Sequence, residues 1–408
     1  MKTIPKSINM QMVRSDVRGP IYEESLRLKA HGINVLRLNT GNPGSFGFNL
    51  PDNFRDVYIN NIDKAVPYCD VNGLPEARQA IADYQNNIKN FPAITPDDVY
   101  IGNGVSELVQ MALTALLNAG DEILVPMPNY TIWSNNAYIA GAKPVHYICD
   151  EQAGWMPDIN DIRKKITPKT RAILIINPNN PTGVLYSKEV LLDILEEARK
   201  HDLIVFSDEI YDRLVMDDKI HHSCAALAPD LFVVTTNGLS KSHIICGFRC
   251  GWMVFSGPKE HAAGYLQGIR QLAAMRLCPN TLAQLVIPTA LADNEFTQQM
   301  MRPGGRVYEQ RKVTLEELDK LEPLGVTYAR PCAAFYIFPK IDAKRYNITD
   351  DVKFCLDLLR EKHIMLINGR GFDWKDPDHV RIIMLPEVDE MKKAIRDLGD
   401  FLENYRQE

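Results

Sequence analysis

The sequence predicts an α/β protein, with a large domain built on a mostly parallel, seven-stranded sheet and a smaller α+β domain. Seven short apolar runs rich in β-branched residues occur between residues 99 and 255, and helix-like segments separate several of them. Such runs, bounded by Gly, Pro, Asn or Asp, are typical of strands buried on both faces, and their alternation with helices indicates a parallel sheet. The runs are 99–101, 122–125, 144–148, 172–176, 203–206, 231–234 and 251–255.

The segment between the fourth and fifth runs shows the clearest helical pattern. Ser187 has a side chain that is preferred at a helix N-cap, and the apolar residues after it recur with helical spacing as far as Arg199. In open parallel sheets, ligands bind at the carboxyl ends of the strands. We therefore expect the functional residues to follow the apolar runs.

The character of the chain changes after residue 257. A long helical stretch is expected over 258–320, followed by short strands of the smaller domain. These strands are expected at 326–329, 334–338 and 380–384. The N-terminal residues are expected to join the smaller domain. The predicted ranges are 1–50 for an N-terminal arm and part of the small domain, 51–320 for the large domain and 321–408 for the rest of the small domain.

Composition and charge exclude several classes of partner. Of the 408 residues, 46 are Lys or Arg and 52 are Asp or Glu, so the net charge is −6, and no basic run stands out. A nucleic acid or an anionic membrane is therefore not an expected partner. The N-terminus lacks the apolar core of a signal peptide and no stretch approaches transmembrane length, so we expect a cytoplasmic protein.

The eight cysteines are scattered along the chain. Cys246 and Cys250 lie four residues apart, but no His or second Cys pair accompanies them at the spacing of a zinc site. We therefore expect no metal, and we interpret the cysteines as reduced thiols, most of them in the core.

Lys241 and Arg249 give the first indication of chemistry. Lys241 follows the apolar run 231–234, where its amine is well placed to form a Schiff base, and Arg249 lies eight residues further along. An amine for an aldehyde and a guanidinium for a phosphate are what pyridoxal 5'-phosphate (PLP) requires. Taken alone, a surface lysine and a helix-end arginine are commoner. The prediction of PLP therefore depends on the other parts of such a site.

A phosphate site is expected where the run 99–101 meets the following helical pattern. Gly104 and Val105 would offer backbone N–H groups at a helix start, and Ser106 would add a hydroxyl, which suits a phosphate dianion. A glycine turn before a helix is often only a tight loop. Because Arg249 can supply a counter-charge, we interpret this glycine turn as a phosphate cradle.

The end of the fifth apolar run supplies groups for a pyridine ring. A carboxylate against the ring nitrogen keeps it protonated, and we assign this to Asp208, with Glu209 as the competing candidate and a helix N-cap as the alternative role. Asn180 and Tyr211 can hydrogen-bond the phenolate oxygen of the ring, which lowers the pKa of a Schiff base at Lys241. The Asn/Pro run around Asn180 also fits a turn after a buried strand.

Tyr130 and Arg381 complete the expected site. Tyr130 can stack on the ring face, although a buried core tyrosine fits the sequence nearly as well. Arg381 stands alone among hydrophobic residues, and a charge embedded in an apolar strand requires a partner. The carboxylate of an amino-acid substrate is one such partner, and a structural ion pair is the other.

Several long motifs occur in fixed order along nearly the whole chain. They are Asp16-Val17-Arg18-Gly19-Pro20, Leu38-Asn39-Thr40-Gly41-Asn42-Pro43, Tyr68 with Gly73-Leu74, Ile101-Gly102-Asn103-Gly104-Val105-Ser106-Glu107, Ile176-Asn177-Pro178-Asn179-Asn180-Pro181-Thr182-Gly183, Asp208-Glu209-Ile210-Tyr211-Asp212, Asn237-Gly238-Leu239-Ser240-Lys241 and Pro303-Gly304-Gly305-Arg306. Together they resemble the class I aminotransferases of the fold-type-I PLP superfamily, most of all the bacterial glutamate–pyruvate, or alanine, aminotransferases.

The resemblance implies a role for each matching residue. Lys241 is similar to the lysine that binds the cofactor aldehyde, and Asp208 to the partner of the ring nitrogen. Tyr68 resembles a tyrosine that reaches the phosphate of the other subunit, which implies a homodimer with shared active sites. The implied phenolate ligands are Asn180 and Tyr211, the phosphate ligands Ser106, Ser240 and Arg249, and the substrate-carboxylate contacts Gly41, Asn180 and Arg381.

The resemblance also implies the reaction, a ping-pong transfer of the amino group of L-alanine, or another small neutral amino acid, to 2-oxoglutarate, giving pyruvate and L-glutamate. Arg18 is a candidate for the second carboxylate of glutamate or 2-oxoglutarate, and a surface arginine or one packed on the N-terminal arm is the alternative. Departures from the family pattern at Ser15, Thr131 and Ser242-His243-Ile244-Ile245-Cys246 leave the amino donor open.

Two other functions are compatible with the same cofactor site. One is β-elimination, as in carbon–sulfur lyases. The other is a PLP-binding regulator without turnover, although the chain has no basic face for a DNA-binding domain and carries the full set of catalytic residue types.

Overall fold

The computed structural model describes residues 3–14, 19–293 and 295–408. Its β-strands are β1 (Leu36–Arg37), β2 (Val99–Asn103), β3 (Glu122–Met127), β4 (Lys143–Asp150), β5 (Met156–Pro157), β6 (Thr170–Ile176), β7 (Ile204–Asp208), β8 (Val233–Gly238), β9 (Cys250–Ser256), β10 (Val326–Thr327), β11 (Tyr336–Ile337), β12 (Lys340–Ile341), β13 (Ile364–Met365), β14 (Ile367–Asn368) and β15 (Val380–Ile383).

The α-helices lie between these strands and along the C-terminal third of the chain. They are α1 (Pro20–Ala30), α2 (Asp52–Asn61), α3 (Pro75–Asn87), α4 (Val105–Leu116), α5 (Ile132–Ile139), α6 (Ile159–Lys165), α7 (Lys188–Lys200), α8 (Cys224–Leu227), α9 (Leu239–Ser242), α10 (Ala263–Met275), α11 (Thr281–Gln284), α12 (Ile287–Ala292), α13 (Glu295–Met301), α14 (Arg306–Asp319), α15 (Asp351–Lys362) and α16 (Val388–Asn404).

The main sheet has the strand order β2-β9-β8-β7-β6-β3-β4-β5. Its neighbours from β8 to β4 pair in parallel, whereas β9 runs antiparallel to β2 and β8. Nearly every residue of β2, β3, β6, β7, β8 and β9 is buried, because two apolar clusters cover the two faces of the sheet, whereas β4 and β5 are partly exposed. The predicted mostly parallel sheet with helices on both faces is confirmed.

Each of the seven apolar runs forms a strand of the main sheet, but the sheet has eight strands rather than seven. The extra strand, β5, adds two residues antiparallel to the edge strand β4. A strand of two residues shows no periodicity, and the sequence therefore gave no signal for it. The predicted cap of α7 is also confirmed, because the Ser187 hydroxyl accepts a hydrogen bond from the Val190 N–H at 3.3 Å.

The helical stretch predicted over 258–320 is divided into the successive helices α10 to α14. After it, β11 pairs with β15, β15 pairs with β14, and β10 pairs with β12. From the N-terminal part of the chain, β1 pairs in parallel with β13. A third apolar cluster packs these strands against α14, α15 and α16. The division of the chain at residues 50 and 320 stays a prediction.

No helix in the described part of the chain is long and apolar enough to cross a membrane. The carboxyl ends of β3, β6, β7 and β8 meet at one edge of the main sheet, because parallel strands all point the same way. The chain enters β9 at the same edge, because β9 is antiparallel. The loops that leave or enter these strands therefore meet in one place, and β11 and β15 lie opposite them.

Candidate active site

A cavity lies at this edge of the sheet, and most of the predicted site residues line it. Its walls come from loops at the carboxyl ends of the strands, the start of α4, and β11 and β15. The lining residues are Asn39, Thr40, Gly41, Val105, Ser106, Tyr130, Ile132, Ile176, Asn180, Asp208, Ile210, Tyr211, Ser240, Lys241, Cys246, Arg249, Tyr336 and Arg381.

Lys241 lies in the short helix α9, directly after β8. Its Nζ donates a hydrogen bond to the Gly41 carbonyl at 2.8 Å and lies 3.8 Å from the Cys246 sulfur. Neither neighbour is a carboxylate, and no other described residue forms an ion pair with the amine. Lys241 therefore presents its amine to the cavity.

Asp208 is the last residue of β7 and lies at the base of the cavity. The indole Nε1 of Trp133 donates a hydrogen bond to its Oδ2 at 2.9 Å, and the Ile210 N–H contacts its Oδ1 at 3.4 Å. No cation of the described chain pairs with this buried carboxylate, and burial raises its pKa to about 6. A cation that entered the cavity would therefore be stabilised strongly by its attraction to the Asp208 carboxylate.

Glu209, the competing candidate for the same role, points away from the cavity. Its Oε1 accepts hydrogen bonds from the hydroxyls of Ser207 at 2.8 Å and Ser223 at 2.7 Å. Burial raises its pKa to about 7. Successive side chains of a strand face opposite sides, and only Asp208 faces the cavity.

Tyr211 and Asn180 lie side by side on the cavity wall. The Asn180 Nδ2 is 3.5 Å from the Tyr211 hydroxyl, and that hydroxyl is 3.0 Å from the hydroxyl of Tyr336. Burial, with a further contribution from Tyr336, raises the pKa of Tyr211 well above its usual value. Tyr211 is therefore a neutral hydroxyl that can donate a hydrogen bond.

Arg381, in β15, is a buried cation without an acidic partner among the described residues. Its guanidinium donates to the Asn180 Oδ1 at 3.0 Å and to the Asn39 carbonyl, and its Nε has no partner there. The rings of Tyr336 and Phe372 lie against it at 4.7 and 4.6 Å. The alternative of a structural ion pair is therefore not seen, and the cavity offers a site for a carboxylate.

The start of α4 and Arg249 form the opposite end of the cavity. Gly104 has a φ of 79°, and a Cβ at this position would collide with the Arg249 guanidinium. That guanidinium donates to the backbone carbonyls of Cys246 and Asn103, at 3.0 and 3.4 Å. Ser106 and Ser240 line the cavity beside it. A guanidinium beside a helix N-terminus is an arrangement that suits an anion.

Of the three remaining predicted residues, one lines the cavity and two do not. Tyr130 lines the cavity and is 38 % exposed. Tyr68 lies outside the cavity of its own chain and is 79 % exposed. Arg18 lies outside the described residues, as does the departure at Ser15.

Sequence reasoning missed Tyr336, which lines the cavity, and Trp133, which supports Asp208 from behind the cavity wall. Tyr336 belongs to a predicted strand, but nothing in the strand pattern separates it from its core neighbours. Trp133, which holds Asp208, follows Tyr130 by only three residues, and that proximity is the one available signal. Of the departures from the family pattern, Cys246 lines the cavity, whereas Thr131 is the N-cap residue of α5.

Comparison with known proteins decides the family. The family model for class I and II aminotransferases matches residues 33–398. The chain belongs to this family. It is 49 % identical to a glutamate-pyruvate aminotransferase of Haemophilus influenzae and 44 % identical to an alanine aminotransferase of Mycobacterium bovis, covering the whole chain and 100 % and 94 % of those relatives. The crystal structure of an aminotransferase from Escherichia coli has a TM-score of 0.98, with 49 % identity over both full chains.

Aminotransferases of this family use PLP, and this aminotransferase is therefore PLP-dependent. The cavity fits the cofactor on three counts. Within the described part of the chain, it is lined by a buried carboxylate without a paired cation, by an amine without an ion pair, and by a guanidinium packed against the helix start so closely that no Cβ would fit at Gly104. The substrates of an aminotransferase are an amino acid and a 2-oxo acid.

Proposed function

We propose that this aminotransferase moves the amino group of L-alanine to 2-oxoglutarate, giving pyruvate and L-glutamate in two half-reactions. The Haemophilus influenzae and Mycobacterium bovis relatives support the substrate pair, because their names specify glutamate and pyruvate, or alanine. The apolar side chains of Ile132 and Ile210 on the cavity wall support a small neutral donor. The observation that carries the proposal is that Arg381, which has no acidic partner among the described residues, lines the same cavity as Lys241.

The chain's own residues hold the cofactor. We assign the ring nitrogen to Asp208, the ring oxygen to Asn180 and Tyr211, and a ring face to Tyr130. The phosphate ligands are Gly104, Val105, Ser106, Ser240 and Arg249. When bound, PLP supplies an aldehyde that takes up the amino group and a protonated ring that withdraws electrons from the substrate Cα.

Lys241 moves the proton in each half-reaction. It is the one amine among the described residues that line the cavity, so we assign to its Nζ the removal of the proton at the substrate Cα. The same amine would return the proton, from the same face, at the carbon that the cofactor's aldehyde supplies. Holding the amine beside both carbons replaces a bimolecular step by one within the complex.

Arg381 orients the substrate. Its guanidinium can form a bidentate pair with the α-carboxylate, and Asn180 and Gly41 contact the same group. Arg18 would take the second carboxylate of glutamate or 2-oxoglutarate. An Arg18→Gln enzyme should then lose affinity for 2-oxoglutarate and keep its affinity for alanine.

We further propose that the aminotransferase is a cytoplasmic homodimer. The segments around Val71 and Arg276 lie side by side, because the Arg276 guanidinium donates to the Val71 carbonyl at 2.8 Å. Apolar side chains that are more than half exposed occur on both segments: Val66, Tyr68, Met275 and Leu277. Such a patch is typical of an interface, and Tyr68 would there reach the phosphate site of the other subunit. The free cysteines support a reducing compartment.

The dimer is tested by complementation. Neither a Lys241→Ala nor a Tyr68→Ala enzyme should be fully active. If sites are shared, mixing the two and allowing subunits to exchange creates dimers with one intact site, and activity should rise. Light scattering should show a dimer, and a monomer with full activity would contradict this proposal.

The reaction is tested with a panel of amino acids, with pyruvate and 2-oxoglutarate as acceptors. We expect alanine to convert the cofactor spectrum to that of the aminated form, and 2-oxoglutarate to restore it. Release of pyruvate and ammonia from cysteine or cystathionine without an acceptor would instead indicate a lyase. A bound cofactor whose spectrum no amino acid changes would indicate a regulator. No observation in the structure favours either alternative.

A further inference from the structure

Tyr336 lies at the centre of the cavity, although nothing in the sequence gave it a role. It is the first residue of β11 and only 2 % exposed. Its hydroxyl lies 3.0 Å from that of Tyr211, and its ring lies 4.7 Å from the Arg381 guanidinium. One side chain thus touches both the residue assigned to the ring oxygen and the residue assigned to the substrate carboxylate.

Close packing of two glycines fixes the position of Tyr336. A Cβ at Gly41 would collide with its hydroxyl, and a Cβ at Gly183 would collide with its carbonyl oxygen. The rings of Tyr336 and Tyr211 meet edge to face, with centroids 5.5 Å apart at 87°. Both side chains are buried, so neither hydroxyl can turn to bulk water for a partner.

Proton counting gives the direction of the hydrogen bond between the two tyrosines. Under the proposed function, Tyr211 donates its one hydroxyl proton to the ring oxygen of PLP. Its own oxygen must then accept, and the Asn180 amide, at 3.5 Å, is a distant donor. The Tyr336 hydroxyl, at 3.0 Å, is the better donor.

We propose that Tyr336 is a positioning residue with two separable parts: its hydroxyl donates to Tyr211 and makes it a stronger donor, and its ring holds Arg381 in place for the substrate carboxylate. Successive hydrogen bonds in a buried chain strengthen one another. The ring oxygen carries more negative charge once the Lys241 nitrogen has lost its proton. A stronger donor therefore favours the deprotonated form and lowers the pKa of that nitrogen. This inference rests on the proposed function.

The test compares two substitutions at this position in the PLP-loaded enzyme. Tyr336→Phe removes the hydroxyl and keeps the ring, whereas Tyr336→Leu removes both. Tyr346→Phe is the matched control, because it deletes a buried hydroxyl of the same apolar cluster that donates to the Leu324 carbonyl at 2.5 Å, outside the cavity.

The first readout is the pH midpoint of the visible absorbance change of the loaded enzyme, without substrate. Tyr336→Phe should raise this midpoint by about 0.5 pH unit, the size expected for one hydrogen bond that acts indirectly, through Tyr211. Tyr346→Phe should leave it unchanged. In a Tyr211→Phe background, Tyr336→Phe should add no further shift, because the hydroxyl acts through Tyr211.

The second readout separates the ring from the hydroxyl. Tyr336→Phe should change the KM for alanine less than about twofold, because a phenyl ring still packs on Arg381. Tyr336→Leu should raise that KM roughly tenfold. Thermal unfolding of each variant confirms that it is folded before the kinetics are compared.

Two results would overturn the inference and leave the proposed function intact: an unchanged midpoint in Tyr336→Phe, or a shift of equal size in the Tyr211→Phe background. A Tyr336→Leu enzyme with the wild-type KM would remove the role of the ring. If the wild-type enzyme itself shows no pH-dependent cofactor band and no response to amino acids, the proposed function has failed instead.

Discussion

Asp208 and Asp212 lie four residues apart and are both buried, but their surroundings differ. Asp212 pairs with Lys89 at 2.6 Å and accepts a hydrogen bond from the Tyr84 hydroxyl at 3.1 Å. Burial alone would raise the pKa of Asp212, but the charge of Lys89 holds that pKa well below the usual range. Asp208 has only the hydrogen-bond donors described above, and its pKa is raised to about 6.

The same contrast separates two regions of the molecule. Behind the 208–212 loop, the buried charges of Lys89 and Asp212 are paired with each other. The cavity is lined by Asp208, Lys241 and Arg381, and none of the three forms an ion pair with a described residue. Buried charges are costly unless paired, and leaving them unpaired provides binding energy for ligands that bring the opposite charge. We therefore expect the paired region to stabilise the fold and the region without ion pairs to bind the cofactor and substrate.

Lys241 and Lys89 should respond oppositely to substitution. Lys241→Ala should reduce turnover by at least about 10⁴-fold with no loss of stability, because it removes the amine that moves the proton and breaks no ion pair. Single-turnover kinetics and thermal unfolding measure the two effects. A Lys241→Ala enzyme that still turns over alanine would contradict the assignment.

Lys89→Met should destabilise the fold by about 3–5 kcal/mol, because it leaves the Asp212 charge buried without its partner. The folded fraction should keep its turnover. Denaturant unfolding at pH 7 measures the loss, and the Lys89→Met/Asp212→Leu double variant is the control, since replacing both charges should recover most of the stability. A large drop in turnover per folded molecule would contradict this prediction, because it would mean that Lys89 takes part in catalysis.

Asp208→Asn should stabilise the cofactor-free protein above pH 6, by on the order of 2 kcal/mol, while lowering kcat of the loaded enzyme. The folded-state pKa of Asp208, about 6, lies above its unfolded value, so the carboxylate costs stability as the pH rises from about 4 to 6. Asp212 has the opposite sign, and its contribution is lost as the pH falls below about 4. Unfolding of Asp208→Asn and Asp212→Asn across pH 4–8 tests both directions, and equal destabilisation by the two would contradict the comparison.

Arg381→Lys should raise the KM for alanine roughly tenfold with a smaller change in kcat, because an ammonium cannot form the bidentate pair. Steady-state kinetics measure the split between KM and kcat. Arg213→Lys is the control, since Arg213 donates to the Tyr84 hydroxyl at 3.1 Å behind the loop and should leave KM unchanged. An equal effect of the two would remove the distinction between the regions.

The sequence predicted the large sheet well because its strands carry a strong local signal. Seven apolar runs became seven strands, and the residues after the parallel strands meet at one edge because parallel strands end together. Asp208 ends such a strand, whereas Asn180, Tyr211 and Lys241 follow the ends of such strands, and the structure brings all four into one cavity.

Other contacts depend on distant parts of the chain. Tyr336 faces Tyr211, which is 125 residues away, and Trp133 holds Asp208 across 75 residues. No local pattern records such a pairing. The sequence also left two choices open that only the three-dimensional structure decides. One is which of the carboxylates of Asp208 and Glu209 faces the cavity. The other is whether Arg381 has an ion-pair partner, and none is found among the described residues.

Reductive trapping tests the central claim most directly. Borohydride treatment of the loaded enzyme fixes the bond between the cofactor and its lysine, and peptide mapping then locates the label. The account predicts one labelled residue, Lys241. A label on any other lysine, or no label in an enzyme that retains the cofactor and turns over alanine, would contradict it.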